Sequence, residues 1–400
     1  MSRLPPALQP AWPLVKRGHR LATRGVGAAT RHIPDGARSL PRLATERAED
    51  TAAREPDVVR LHLGGPGEAL RRPIPVGQPA DHWIFRWRSS YDVPRRFTLD
   101  IGQGTVVGLY AATLTPGGVL DFETSAYFGI DGWREHPLYL RPRLPEPEDF
   151  DGTLLSLTTS GTSANYFHFV TDTLPRWGVL EECLPDVRPD ACYVSTGSRY
   201  QRELLGMLGI DTLPVVEPGK HRAVRARRLL VPSLSNPDLM APSWTQSWLK
   251  RRLPDRGGPD LPRRLYLSRG TKRNTRRLVD EDRHMKVLEH HGFTTIDPGT
   301  LSVQEQIDVF AAAEAIVAPH GAALTNLAFA NPGLRLLELF APNYVNPCYW
   351  TMADNIPDVR YRYLVGSGRA PRPRSPMNGV LADIRLDPRD FEAAVDDLLA

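Results

Sequence analysis

The stretch "AEAIVAPHGAALTNLAFANPGLRLLELF", residues 313–340, decides the fold. An apolar run, Ala315-Ile316-Val317-Ala318, ends at Pro319-His320-Gly321. Ala322 and Ala323 follow, Asn331-Pro332-Gly333 makes a turn, and Leu336-Leu337-Glu338-Leu339-Phe340 resumes the apolar pattern. Short uninterrupted apolar runs read as strands buried on both faces, and the Pro-Gly pair closes the short helix between them. The stretch predicts a βαβ unit with its loop at the carboxyl end of a parallel strand. Ligands of open α/β sheets bind in that crevice, where small residues at a helix start let an anion approach free backbone N–H groups. Two readings of the loop stay open: an anion seat, or an ordinary βαβ turn with a surface histidine.

The same alternation extends upstream. "RLYLS" reads as a strand, "SRGTKRNTRR" as a basic loop, and a helix then runs to Gly292. "FTTID" is the next strand, followed by a helix over 303–314 that opens on a Ser302/Glu305 capping box and places Val303, Ile307 and Phe310 on one face. The strand-end loops converge, so Arg269, Lys272, Arg273, Arg276 and Arg277 suit a diphosphate, with guanidinium forks and a helix start as donors. A solvated basic loop is the plainer account. Glu338, inside an apolar strand, needs partners. It either accepts ribose hydroxyls or occupies an edge position facing water.

Residues 163–232 also read as α/β: a helix near 163–183, a strand at "CYVST", a helix ended by Gly209, and strands near 214 and 229. On the first helix Asn165, His168 and Asp172 share a face, apart from Phe167, Val170 and Leu174. A carboxylate one turn from a histidine can hold its ring and stabilise its charged form, the wiring of a general base. A surface hydrogen-bond pair has the same spacing. Residues 80–142 change to short alternating runs broken by Gly-Gln-Gly and Pro-Gly-Gly, which predict β-hairpins. Residues 1–58, rich in Arg, Pro and Ala, read as a mobile basic leader, dispensable for chemistry. A peripheral membrane contact through Leu4, Leu8, Trp12 and Leu14 beside Lys16 and Arg17 is the alternative.

Four hundred residues suit two α/β lobes plus extensions. Cys183, Cys192 and Cys348 lack metal spacing and leave an odd thiol, so a disulfide framework is not expected and a reducing cytoplasm is. No apolar run is long enough for a membrane span and no secretory signal is legible. The 50 basic residues, nearly all arginine, are almost matched by 46 acidic ones, so charge does not point to nucleic acid. Asp149-Phe150-Asp151 and Asp280-Glu281-Asp282 match an Asp-x-Asp pattern too short to indicate a metal, and no metal or cofactor is expected.

"NYFHFVTDTLP", followed by "LYLSRGTKRNTRRLVDE" and "HGFTTIDPGTLSVQEQIDVFAAAEAIVAPHGAALTNLAFANPG", resembles glycosyltransferase family 61 over roughly residues 95–365. That family includes bacterial capsular polysaccharide transferases, plant xylan-decorating transferases and the animal EGF-domain N-acetylglucosaminyltransferase. The resemblance implies a GT-B fold: two Rossmann-like lobes facing across a cleft, here with β-hairpins before the first. Its expected divisions are a leader over 1–58, an acceptor-side lobe over 59–240, a nucleotide-sugar lobe over 241–366, and a linker with a C-terminal helix over 367–400. It implies a nucleotide-sugar donor, UDP-linked, and transfer with inversion to a hydroxyl of a glycan or polysaccharide. By the same resemblance His320, Gly321, Ala322 and Asn326 form the donor-phosphate loop, and Arg269 and Arg277 are the second-lobe arginines. His168 and Asp172 match the first-lobe pair, with Asn165 on the acceptor side and either His168 or Asp172 as base. Arg273 and Glu338 join the expected donor set from their places in the strand-end loops and strand. The family often has Asn-Glu where this chain has Asp280-Glu281, which leaves the role of Asp280 open. A cytoplasmic enzyme is expected, with a peripheral place at the inner face of the membrane as the alternative. A silent glycan- or nucleotide-binding relative and a sugar-nucleotide epimerase are the alternatives.

Overall fold

Ala315–Pro319 is a strand with all five residues buried. In the computed structural model, which describes residues 12–30, 39–127, 129–162, 165–270, 275–373 and 379–400, it lies inside a six-stranded sheet. The strand order is Thr294–Ile296, Arg264–Leu267, Ala315–Pro319, Arg335–Phe340, Arg360–Val365 and Val76–Gln78, and every pairing is parallel. Numbered along the chain from Arg264, the first five strands stand in the order 2-1-3-4-5. The winding reverses between the first and the third, the switch point where doubly wound sheets hold ligands.

The elements between the strands follow local chemistry. Val303–Ala312 opens on the predicted capping box: Ser302 accepts from Glu305 N–H at 3.3 Å and donates its own N–H to the Glu305 carboxylate at 2.6 Å. Ala322–Phe329 is a 3₁₀ segment rather than an α-helix. Pro388–Leu399 buries Phe391, Val395 and Leu398 in one cluster with Leu288, Val317, Leu337 and Leu364, so the C-terminal helix is part of this sheet's core and not an appendage.

Two compact units divide the described chain. One contains Ala69–Val93 with Pro237–Ala400, the other Leu14–Glu68 with Pro94–Asn236. The expected N-terminal lobe over 59–240 therefore lacks 69–93, because Val76–Gln78 pairs with Arg360–Val365. Within 69–93 the chain also forms a helix, Trp83–Arg88, where hairpin strands were expected.

The N-terminal unit is built on Ala223–Pro232, which pairs parallel with Pro147–Ser156 and antiparallel with both Phe97–Gly102 and Thr105–Val107. Gly102-Gln103-Gly104 is therefore not a hairpin turn. It is a break between two strands that share one partner, and Gly104 is small because a Cβ there would lie 2.9 Å from the Ile101 and Leu229 side chains. Pro116-Gly117-Gly118 does reverse the chain, with Gly118 at φ +77° between antiparallel Ala112–Leu114 and Val119–Asp121.

The leader reading fails over its last twenty residues. Leu43–Thr45 pairs with Val119–Asp121. Ala48–Arg54 buries Ala48 and Thr51, and the Thr51 hydroxyl donates to the buried Asp121 carboxyl at 2.5 Å. Few apolar residues are needed here, because hydrogen bonds to Asp121 and from Thr115 to Glu55 tie the segment down. The rest of the leader before residue 39 is described only at 12–30, a helix. Removing residues 1–55 should lower the thermal midpoint by roughly 5 °C or more, the response to a few kcal/mol in a domain of this size. An unchanged midpoint by circular dichroism would contradict this packing.

Candidate active site

His320 follows directly on Ala315–Pro319, at the switch point of the parallel sheet, and is only 4% exposed. Its Nδ1 lies 2.5 Å from Oε1 of Glu338, which is fully buried on the adjacent strand, and the Tyr361 hydroxyl donates to Oε2 at 2.6 Å. The ring stacks on Phe340 and meets Tyr344 and Tyr349. Arg276 donates from Nε to the His320 carbonyl at 2.9 Å, and its guanidinium lies over the Tyr344 ring. Arg269, from the loop after Arg264–Leu267, comes so close that a Cβ on Gly321 would lie 1.8 Å from its Nη1. Gly321 has an extended backbone, so its smallness serves this approach. The loops after the first and third strands thus meet, bringing two guanidinium groups to one histidine.

Burial pushes the Glu338 carboxyl up to about 8. Burial, with the Arg276 and Arg269 cations, holds the His320 imidazole well below its ordinary range. At neutral pH the pair is mainly a carboxylic acid beside an uncharged ring. On this assignment Glu338 donates to Nδ1 and the ring proton sits on Nε2, a donor suited to an anionic oxygen.

The second cluster lies in the N-terminal unit, beyond the carboxyl end of Pro147–Ser156. Asn165 caps a short α-turn, Tyr166–His168, which passes through a π-turn, Phe169–Thr173, into Leu174–Cys183. Single π-turns recur at functional sites. His168 Nδ1 lies 2.7 Å from Asp172 Oδ2. The other oxygen, Oδ1, is 2.8 Å from the Thr171 hydroxyl and 3.3 Å from Asn236 Nδ2. One turn on, Arg176 is fully buried and donates to the carbonyls of Pro232, the last residue of Ala223–Pro232, and of Thr158, two residues beyond Pro147–Ser156. Burial pulls its guanidinium down to about 9, opposed by the nearby Asp172 carboxylate, so it stays charged at neutral pH.

The family model described as Glycosyltransferase 61 matches residues 166–337. Over this region the chain is similar to glycosyltransferase family 61. No curated protein matches the chain significantly.

The matched region begins one residue after Asn165 and ends one residue before Glu338, so it contains His168, Asp172, Arg269, Arg276 and His320, while Glu338 and Tyr361 lie beyond it. Several expected site residues have other work. Glu338 presents nothing to a ribose, because both its oxygens are used inside the protein and it orients His320. Asn326 is fully buried and donates to Gln306 and the Ala323 carbonyl, holding the loop. Asn165 accepts from the Phe167 N–H as a cap. Arg277 pairs with Asp383, while its neighbour Arg276 reaches His320. Ala322 is half-buried at the start of the 3₁₀ segment, and Arg273 lies outside the described residues. Asp280 stands at φ 54°, ψ 43° before Glu281–His290. That left-handed geometry suits Asp and Asn alike, which accounts for an Asp where the family often has Asn. Sequence spacing could have found Arg176, four residues after Asp172. No local signal announces Asn236 or Tyr361.

The Glu338 assignment sets a pH dependence. Its folded value near 8 exceeds its ordinary 4.5, so the stability it contributes in acid is lost as pH rises from about 4.5 towards 8. Glu338→Gln cannot titrate. The stability of the native protein relative to this variant should fall between pH 5 and 8, by up to about 1.4 kcal/mol per pH unit. Urea midpoints that keep a constant difference over that window would contradict a protonated Glu338.

Proposed function

We propose that this chain transfers a sugar from a UDP-linked donor to a hydroxyl of a glycan or polysaccharide, with inversion at the anomeric carbon. Glycosyl transfer is supported by the similarity to the family. UDP, the polysaccharide acceptor, inversion and a GT-B arrangement are carried over from the resemblance. The donor reading draws support from the C-terminal unit, where Arg269, Arg276 and a neutral His320 gather at the switch point of a parallel sheet. A diphosphate carries the charge these donors suit, and its departure as UDP needs that charge stabilised.

The observation that carries the mechanism is the occupancy of Asp172. Both its oxygens are engaged, one by His168 Nδ1 and the other by Thr171 and Asn236. This favours Asp172 as the group that orients the ring and His168 as the base. Nδ1 is held by the carboxylate, so proton uptake from the acceptor hydroxyl falls to Nε2, and Asp172 stabilises the imidazolium as it forms. The attacking oxygen bonds to the anomeric carbon while the bond to the UDP oxygen breaks on the opposite face.

Calorimetric titration with a panel of nucleotide sugars, followed by UDP-release assays, tests the reading. Arg269→Ala and His320→Ala should each weaken UDP binding by about 1–3 kcal/mol. His168→Ala should lower kcat roughly 10²- to 10⁴-fold with UDP affinity near native. UDP binding without UDP release from any donor would reduce the chain to a binding protein. Loss of UDP binding in His168→Ala would move that helix to the donor side.

Turnover should persist in EDTA. Asp149 and Asp151 are paired with Arg225 and Arg227, and Arg269 and Arg276 beside His320 can balance a diphosphate without a cation. Activity lost in EDTA and restored by manganese or magnesium would overturn this.

A further inference from the structure

Trp12–Thr30 is one helix, WPLVKRGHRLATRGVGAAT, without an acidic residue. At 3.6 residues per turn Leu14, Leu21 and Ala28 lie on one stripe, with Val15, Ala22 and Ala29 beside it. That stripe faces outward: Leu14 is 70%, Leu21 62% and Val15 46% exposed, and Ala22, Ala28 and Ala29 are exposed as well. On another side of the helix Val26 is half-buried. Thr23 is completely buried and Arg24 forms an ion pair with Glu135. A helix at the surface of a globular protein normally does the reverse, burying its apolar stripe and exposing its charges.

We propose that this stripe docks on an anionic lipid surface, with the helix lying in the plane of the interface. The charge selects the occupant. A helix whose only charged side chains are basic, with Arg17 exposed beside the stripe, is drawn to anionic headgroups while its aliphatic groups enter the boundary with the acyl chains. The helix lies on the surface because, among the described residues, none is long and apolar enough to cross a membrane. The inference is independent of the reaction proposed above, and its test needs no substrate.

The test is flotation of the full-length protein with vesicles of phosphatidylcholine alone and of phosphatidylcholine mixed with phosphatidylglycerol. The protein should float with the mixed vesicles, stay behind with the neutral ones, and be released by added salt. Leu14→Glu with Leu21→Glu should lower the bound fraction roughly tenfold or more without moving the thermal midpoint, since both side chains are exposed. Arg17→Glu, which leaves the stripe intact, should lower it about fivefold. No flotation with anionic vesicles, or flotation undiminished in both variants, would overturn the proposal. So would a full-length oligomer that the leucine variant dissociates, which would assign the stripe to a second copy of the chain.

Discussion

A carboxyl group on an interior strand with no exposure is costly unless its surroundings satisfy it, and the candidate donor site is arranged around that requirement at Glu338. Tyr361 reaches one oxygen and His320 the other. Phe340, Tyr344 and Tyr349 enclose the ring. What emerges from this arrangement is a histidine held in one orientation, and the loop arginines approach that fixed point. The glycine after it leaves room for Arg269. The buried acid is thus the support of the site, and the groups nearer solvent are its working surface.

The N-terminal cluster solves the same problem differently. A π-turn widens the helix and releases carbonyls from the regular ladder, and the Ser235 hydroxyl lies 2.9 Å from the Thr171 carbonyl and 3.3 Å from that of Asp172. Arg176 ties the following turn to the carbonyls of Pro232 and Thr158. His168 and Asp172 are therefore set by three separated pieces of chain, and the histidine has little freedom to lose before a reaction. Such preorganisation is what an oriented base requires.

The parallel sheet was readable because its central strands are short apolar runs, interrupted only at Glu338, and the helix Val303–Ala312 carries its own cap in Ser302 and Glu305. Arg269, His320, Gly321, His168 and Asp172 could be chosen because they fall in strand-end loops or share a helical face. What could not be read depends on distance along the chain. Val76–Gln78 is too short for a pattern and acquires its place only by pairing with Arg360–Val365. Asn236 meets Asp172 from 64 residues away. Gly-Gln-Gly resembled a turn because glycine marks both reversals and tight packing, and only the neighbours Ile101 and Leu229 tell the two apart. The segment over 39–58 looked unstructured because it is held by hydroxyl–carboxyl contacts more than by apolar burial.

The pairing of Val76–Gln78 with Arg360–Val365 also bears on synthesis. The ribosome delivers the short strand early, but its partner follows only after roughly 280 further residues, at about 5–20 residues per second. For tens of seconds a three-residue strand and its neighbouring helix have no sheet to join, while the other unit's sequence is completed at Asn236, well before Arg360. The C-terminal sheet must then recruit a segment from far upstream as its last strand. A nascent chain halted before residue 360 would hold that strand unpaired, open to chaperones and proteases in a way the finished protein is not.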